Sequence, residues 1–502
     1  MFSKVLIANR GEIAVRIIRS CRELGITTVA VYSDADRTAP HVLLADEVVH
    51  IGPAPSSQSY LDRERILQAA QSVGADALHP GYGFLSENAA FAGAVEAAGL
   101  AWIGPAPKTI TQMGDKLAAR QLAREAGLPV IPGSAGPLTE SDDPATLADE
   151  IGYPLLVKAA GGGGGKGMRM VAGPDVLDAA LERARSESAR AFADSRVYLE
   201  KALDRPQHVE VQIFGDEHGN MASLGERECS IQRRYQKIIE ETPAPSIAPD
   251  LRTQLSELAV RLAKACDYRG AGTVEFLVDS AGQFYFLEMN TRLQVEHPIT
   301  ELVTGLDLVA EQLRVAAGES LSFSMADSTP RGHAIECRIY AEDGFNGFAP
   351  STGQVRDITI PGGTGVRLDH GLRVGLEITH HYDPLLGKLC VWGRTRPEAI
   401  QRMGRALEEL RVEGLQTTIP FCLASMHHPA FIAGDYDTNF VHDHLPELAG
   451  WAGEQPEDLE TAAAIGAALF AASPRPAGEN TGRAPPAEGN WLRQGRDRQV
   501  SD

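Results

Sequence analysis

Lysine is scarce in this chain. Only nine of the 47 cationic side chains are lysine, and arginine supplies the rest. Positive charge is short overall, since 67 Asp and Glu leave a net charge of −20. Binding along a phosphate backbone needs a positive field, so nucleic acid is excluded as a general partner. The six cysteines, Cys21, Cys229, Cys266, Cys337, Cys390 and Cys422, form no C-x-x-C pair. That spacing argues against zinc ribbons and dithiol redox chemistry and fits a reducing compartment. No run reaches 18 apolar residues, so no membrane span is expected. Met1-Phe2-Ser3-Lys4 leads straight into the apolar Val5–Ala8, so no signal peptide is expected either. The expected location is cytoplasmic.

What is present is ordinary for a large soluble enzyme. There are 502 residues, 43% hydrophobic and 23% charged, which allow several packed cores and exclude disorder of the whole chain. The first hundred residues alternate strand and helix. Val5–Ala8, Thr27–Tyr32 and Ala77–His79 read as strands, and Glu12–Leu24, Tyr60–Val73 and Ala89–Ala98 as helices. Such alternation predicts an α/β fold that opens on a doubly wound parallel sheet. We expect that domain over 1–114 and a second over 115–318, with a flap subdomain at about 130–204. A mixed α+β domain is expected over 330–445, then an Ala/Pro-rich, largely disordered tail over 446–502 that includes a weakly amphipathic helix Asp458–Ala472.

Five glycines precede Lys166 in GGGGGKG (161–167). Backbone N–H groups of such a loop can wrap phosphate oxygens closely. A P-loop fails twice, because Ala160 holds the first glycine position and Gly167 the Ser/Thr position. A dinucleotide loop opens a helix, whereas Met168–Ala172 reads as a strand. Strand, glycine loop, strand remains: a flap over a nucleotide triphosphate, flanked by Lys158 and Lys166, with a flexible linker as the competing reading. The runs Gly272–Val278 and Gln283–Asn290, joined by Asp279-Ser280-Ala281-Gly282, form a second feature, a hairpin. If Val278 pairs with Gln283, then Glu275, Phe286, Glu288 and Asn290 share one face, and their oxygens suit a hard divalent cation. A one-residue slip would separate them.

The segment NTRLQVEHPIT (290–300) alternates Asn290, Arg292, Gln294 and Glu296, so an extended chain would aim them together. Arg292 could hold a planar anion and Glu296 could act as a base, though a surface ion pair gives the same spacing. In SIQRRYQKIIEE (230–241), Arg233, Arg234 and Lys237 read first as a solvated charged segment. In RGHAIECRI (331–339), Glu336 and Arg338 read first as a same-face ion pair.

Together these stretches resemble the biotin carboxylases, the ATP-grasp components of biotin-dependent acyl-CoA carboxylases of the acetyl-CoA carboxylase kind. The resemblance rests on IANRGEIAVRI (7–17), HPGYGFLSEN (79–88), MGDK (113–116), KAAGGGGGKGMR (158–169), QRRYQK (232–237), FLEMNTRLQVEHPITE (286–301), RGHAIECRI and YDPLLGKL (382–389). It spans about 1–445 and implies a ligase that uses ATP and bicarbonate to form carboxyphosphate, then carboxylates biotin. It implies nucleotide contacts at Lys116, Lys158, Gly163, Gly164, Gly165, Glu200, Lys201, Leu203, His208, Gln232, Glu275 and Glu288. Glu275, Glu288 and Asn290 would hold Mg²⁺ or Mn²⁺. Lys237, Arg292, Gln294, Val295 and Glu296 would form the bicarbonate site, with Glu296 as base, Lys237 on carboxyphosphate and Arg338 on the biotin enolate. The family often has His where this chain has Tyr235. None of the nine lysines lies between methionines. The resemblance therefore implies a homodimer, a separate biotin carboxyl carrier protein and a separate carboxyltransferase subunit. The competing functions are another ATP-grasp carboxylate–amine ligase and a non-catalytic carboxylase-like subunit.

Overall fold

The computed structural model describes residues 1–161, 168–192, 194–324 and 329–453. The chain opens on a five-stranded parallel sheet in the order Glu47–Gly52, Thr27–Ser33, Lys4–Ile7, Ala77–His79, Ala101–Trp102. Strand order reverses beside Lys4–Ile7, so the loops after Ile7 and after His79 border the crevice of a doubly wound sheet. Asn9 closes that crevice by donating to the carbonyls of Pro80 and Tyr82, both at 2.7 Å. The helix expected over Tyr60–Val73 starts later, as Arg63–Ser72, because the Asp62 side chain caps the Arg65 N–H.

The rest is organised by one antiparallel sheet of eight strands: Phe284–Asn290, Gly270–Val278, Gln207–Gly215, Met221–Arg233, Gln236–Thr242, His333–Tyr340, Leu385–Gly393 and Val366–His370. Its last three strands come from the expected third domain, so the sheet runs unbroken across the boundary placed near 318–330. Val209, Val211, Ile213, Val274 and Phe276 point to one face, where the helix Pro249–Ala265 packs Leu255, Leu258 and Leu262 over them. The other face carries charge. The strands Met221–Arg233 and Gln236–Thr242 correct part of the reading of 230–241 as solvated: Lys237, Glu240 and Glu241 are buried, whereas Arg233 is half-buried and Arg234 stays exposed in the turn. Charge hides the hydrophobic pattern there because its partners lie on neighbouring strands.

A small sheet, Arg169–Val171, Leu155–Ala159 and Val197–Lys201, carries the glycine loop. Leu155 pairs antiparallel with Val171, so a strand does stand on each side of the loop. Residues 162–167, including Gly163, Gly164, Gly165 and Lys166, lie outside the described residues. The expected tail boundary at 446 does not hold, because the helix Phe440–Gly453 continues through it and buries Leu448 in the C-terminal core. The expected helix Asp458–Ala472 also lies outside the described residues.

Candidate active site

Period-2 alternation along Gln207–Gly215 sends Val209, Val211 and Ile213 to the core and His208, Glu210 and Gln212 to the opposite face. Adjacent strands extend this into one charged rung, in which Glu288 pairs with Glu275, Glu275 with Glu210, and Glu210 with Arg227. The register differs from expectation. Val278 pairs with Phe284, one residue off, so Phe286 faces Phe276 in the core and leaves the acidic face. A bulge between Glu275 and Phe276 absorbs the extra residue Leu287 and returns Glu288 to a position opposite Glu275. The carboxylates therefore do converge, through a bulge in place of plain alternation.

Lys237 stands over this rung. Its ammonium donates to Glu210 at 2.5 Å, Glu275 at 3.0 Å and Glu296 at 2.8 Å. Arg338 holds the second oxygen of Glu296 at 2.9 Å and Glu240 through Nε at 2.5 Å. The expected Glu336–Arg338 pair is not what forms: Glu336 accepts from the Cys390 thiol at 3.2 Å. Glu296 and Glu210 are wholly buried, as is Arg227, which donates to Glu210, Gln212 and Thr300. Burial pushes the Glu296 pKa up, but Lys237 and Arg338 outweigh it and hold the carboxyl well below its usual range. Glu296 is thus an ionised acceptor between two cations.

The segment 291–296 is a turn, not the extended chain expected, and Glu296 directly precedes the helix His297–Thr304 without capping it through its side chain. The turn still gathers its side chains. Arg292 donates to Glu87 at 3.0 Å, Gln294 at 3.0 Å and Asn290 at 3.1 Å, and Gln294 donates to Glu275 at 3.1 Å. Glu275 also accepts from Asn290 at 2.8 Å and bonds His208 at 2.9 Å. Gln232 donates to the other nitrogen of His208 at 3.3 Å, which leaves the His208 Nε2 proton for Glu275.

Toward the flap, Lys116 reaches Glu288 at 2.8 Å. Lys158 bonds both oxygens of Glu200 at 2.9 Å, and Arg120 reaches the same carboxylate at 3.1 Å. Lys201 turns to the carbonyls of Gly152 and Tyr153, and half-buried Leu203 follows in the loop. Glu275 and Glu288 stand opposite each other, Asn290 turns its amide nitrogen to Glu275 and its oxygen to Arg292, and like charges so opposed destabilise a sheet unless cations offset them. Lys116 and Lys237 supply those cations, so the donor set fits a hard divalent ion bridging phosphates.

Sequence reasoning missed Glu210, Arg227, Glu240, Arg120 and Lys388. Glu210 and Gln212 could have been found as polar residues alternating with Val and Ile inside one strand. A separate group, His428, His444 and Glu447, has metal-ligand residue types. There His428 Nδ1 accepts the Ala430 N–H at 3.3 Å, so its ring proton sits on Nε2 and goes to Glu447 at 3.0 Å. That is a hydrogen-bonded pair, not a ligand set.

Comparison with known proteins follows the same outline. Residues 1–110 match the family "Biotin carboxylase, N-terminal domain", 115–324 match "Carbamoyl-phosphate synthase L chain, ATP binding domain", and 336–443 match "Biotin carboxylase C-terminal domain". The chain is 50% identical over 442 residues to the biotin carboxylase of a Nostoc species, covering 88% of this chain and 99% of that one. It is 48% identical over 491 residues to the propionyl-CoA carboxylase alpha chain of Ruegeria pomeroyi, covering 93% and 72%. Among solved structures, the biotin carboxylase domain dimer of Hydrogenobacter thermophilus 2-oxoglutarate carboxylase, in complex with MgADP, ADP and bicarbonate, superposes with a TM-score of 0.86 at 46% identity. That match covers 89% of this chain and 98% of the other.

Proposed function

The chain belongs to the biotin carboxylase family, and we propose that it performs the first half-reaction of an acyl-CoA carboxylase through the residues gathered around Lys237. It is an ATP-dependent ligase that carboxylates biotin with bicarbonate. The observation that carries the assignment of roles is the bridging of Glu296 between Lys237 and Arg338.

Bicarbonate entering beside Arg292 and Gln294 would share the cations that hold Glu296 down. Sharing them raises the proton affinity of Glu296, so it can take the bicarbonate proton as the oxygen attacks the γ-phosphate of ATP. Lys237 then faces the carboxyphosphate, whose negative charge grows as ADP leaves. Arg338 would stabilise the enolate oxygen of biotin as its ureido nitrogen attacks the carboxyl carbon, with inorganic phosphate leaving and taking the ureido proton. Glu275, Glu288 and Asn290 would hold Mg²⁺ or Mn²⁺, which neutralises phosphate charge when bound. Lys116, Lys158, Glu200, Lys201, Leu203, His208, Gln232 and the glycines Gly163, Gly164 and Gly165 would bind the nucleotide.

No lysine follows Lys388 in the sequence, so the biotinyl lysine is not among residues 389–502. We place it on a carrier protein, with a separate carboxyltransferase taking the second half-reaction. A homodimer is the expected assembly, by extension from the dimeric solved relative. Among the described residues no helix is long and apolar enough to cross a membrane, and we assign the chain to the cytoplasm. The test is ATP hydrolysis with each component omitted in turn. Phosphate release that requires bicarbonate and rises with free biotin supports the reading. Release that requires an amine instead would replace it with a carboxylate–amine ligase.

A further inference from the structure

The motif YDPLLGKL (382–389) has no role in the assignment above, yet it touches two other parts of the chain. At one end the Tyr382 ring lies over the Arg10 guanidinium, 4.2 Å from its carbon, and its hydroxyl donates to the Ala54 carbonyl at 2.5 Å. At the other end Lys388 is wholly buried. An ammonium in such a place is costly unless fully partnered. Its partners are specific. It donates to the Val295 carbonyl at 2.7 Å and pairs with Glu12 at 3.2 Å, and Glu12 also accepts the Tyr82 hydroxyl.

Lys388 sits directly across from Arg338 on the neighbouring strand, so both side chains rise from one rung of the sheet. Arg338 grips the side chain of Glu296, and Lys388 grips the main chain of Val295, one residue earlier. Two like charges on one rung repel. Glu12, Glu336 and Asp369 around Lys388, with Glu240 and Glu296 around Arg338, offset this. The turn 291–296 has no strand ladder of its own, so these two cations fix its end.

We propose that Lys388 is a positioning residue for the bicarbonate turn, holding the Val295 carbonyl so that Arg292, Gln294 and Glu296 keep their geometry. The inference rests on the reading of that turn as the bicarbonate site. Lys388 touches no reacting atom in this scheme. Its effect passes through the backbone, and it falls on the substrate bound by the turn and not on the nucleotide.

The experiment measures bicarbonate-dependent ATP hydrolysis in the full chain, Lys388→Met and the double variant Lys388→Met/Glu12→Gln. Methionine keeps the volume and removes the donor. The expected result is a bicarbonate KM raised roughly 10- to 100-fold, the scale for losing a charged hydrogen bond, with the ATP KM within about twofold. The double variant removes the buried carboxylate that Lys388→Met strands, and it should keep the raised bicarbonate KM. Recovery of the KM in the double variant would overturn the proposal, because the defect would then be an unpaired Glu12. An unaltered bicarbonate KM in a folded Lys388→Met protein would also overturn it. If the unmutated chain shows no bicarbonate requirement, the bicarbonate reading itself fails, a result distinct from either.

Discussion

Glu288 stands directly opposite Glu275 because the surplus residue Leu287 is taken up as a bulge in the outer strand of the sheet. Without it Glu288 would face the side occupied by Phe276 and Phe286, where no cation waits.

The first prediction concerns this pair. Glu288→Gln keeps the volume but loses the charge that would offset a divalent ion, and ATP turnover should fall by roughly 100-fold or more with the melting temperature little changed. Turnover at saturating Mg²⁺ and a thermal melt on the same preparation give the answer. Near-normal hydrolysis would remove Glu288 from the metal set.

Arg338→Gln separates the two half-steps. The enolate forms only after carboxyphosphate, so biotin carboxylation should slow by roughly 10²- to 10³-fold. Hydrolysis of ATP without biotin keeps Lys237 and Arg292 and should survive better. Glu240 is left without its guanidinium, so the melt will also drop, and Arg338→Gln/Glu240→Gln should restore it. Equal loss of both rates in that restored protein would take Arg338 out of the biotin step.

A pH effect follows from Glu228, which is wholly buried and held by Ser230 and Ser246. Burial pushes its pKa up to about 7, against hydrogen bonds from the two serines that lower it. The folded chain therefore keeps a proton there that the unfolded chain releases above about 4.5. Stability contributed by this site is complete at low pH and is lost as pH rises from about 4.5 through about 7. Glu228→Gln should flatten that decline, worth up to about 3 kcal/mol. Urea unfolding at both ends of the window measures it, and an unchanged decline would assign the effect elsewhere.

Tyr235 occupies the hairpin turn with φ 66°, beside Arg234 at φ 49°, and is 56% exposed. Asparagine tolerates that conformation better. Tyr235→Asn should stabilise the fold by about 1 kcal/mol and leave ATP hydrolysis within about twofold. A lost turnover would show that the phenol meets substrate.

The sequence made the parallel opening sheet legible because its strands are short apolar runs set between amphipathic helices. Asn290, Arg292, Gln294 and Glu296 could be named because four polar groups crowd into seven residues. What stayed hidden was carried by partners distant in sequence. Lys237 and Glu240, in the segment 230–241, read as solvated until strands from residues 207 and 333 bury them. Lys388 is one cation in an apolar strand, and nothing local links it to Val295. The bulge at Leu287 was illegible because local alternation does not reveal which residue a strand will skip.

The unbroken eight-stranded sheet also sets a schedule during synthesis. Gln236–Thr242 leaves the ribosome about ninety residues before its partner His333–Tyr340, a delay of roughly 5–20 s at common elongation rates. Through that interval the nascent sheet ends on an open edge, the feature that recruits stray strands from other chains. The edge carries Glu240 and Glu241, whose partners Arg338, His333 and Arg396 come later in the chain, and unpaired negative charge there disfavours association with another chain. Carboxylates that the finished sheet pairs with cations thus oppose stray pairing while the sheet is half made.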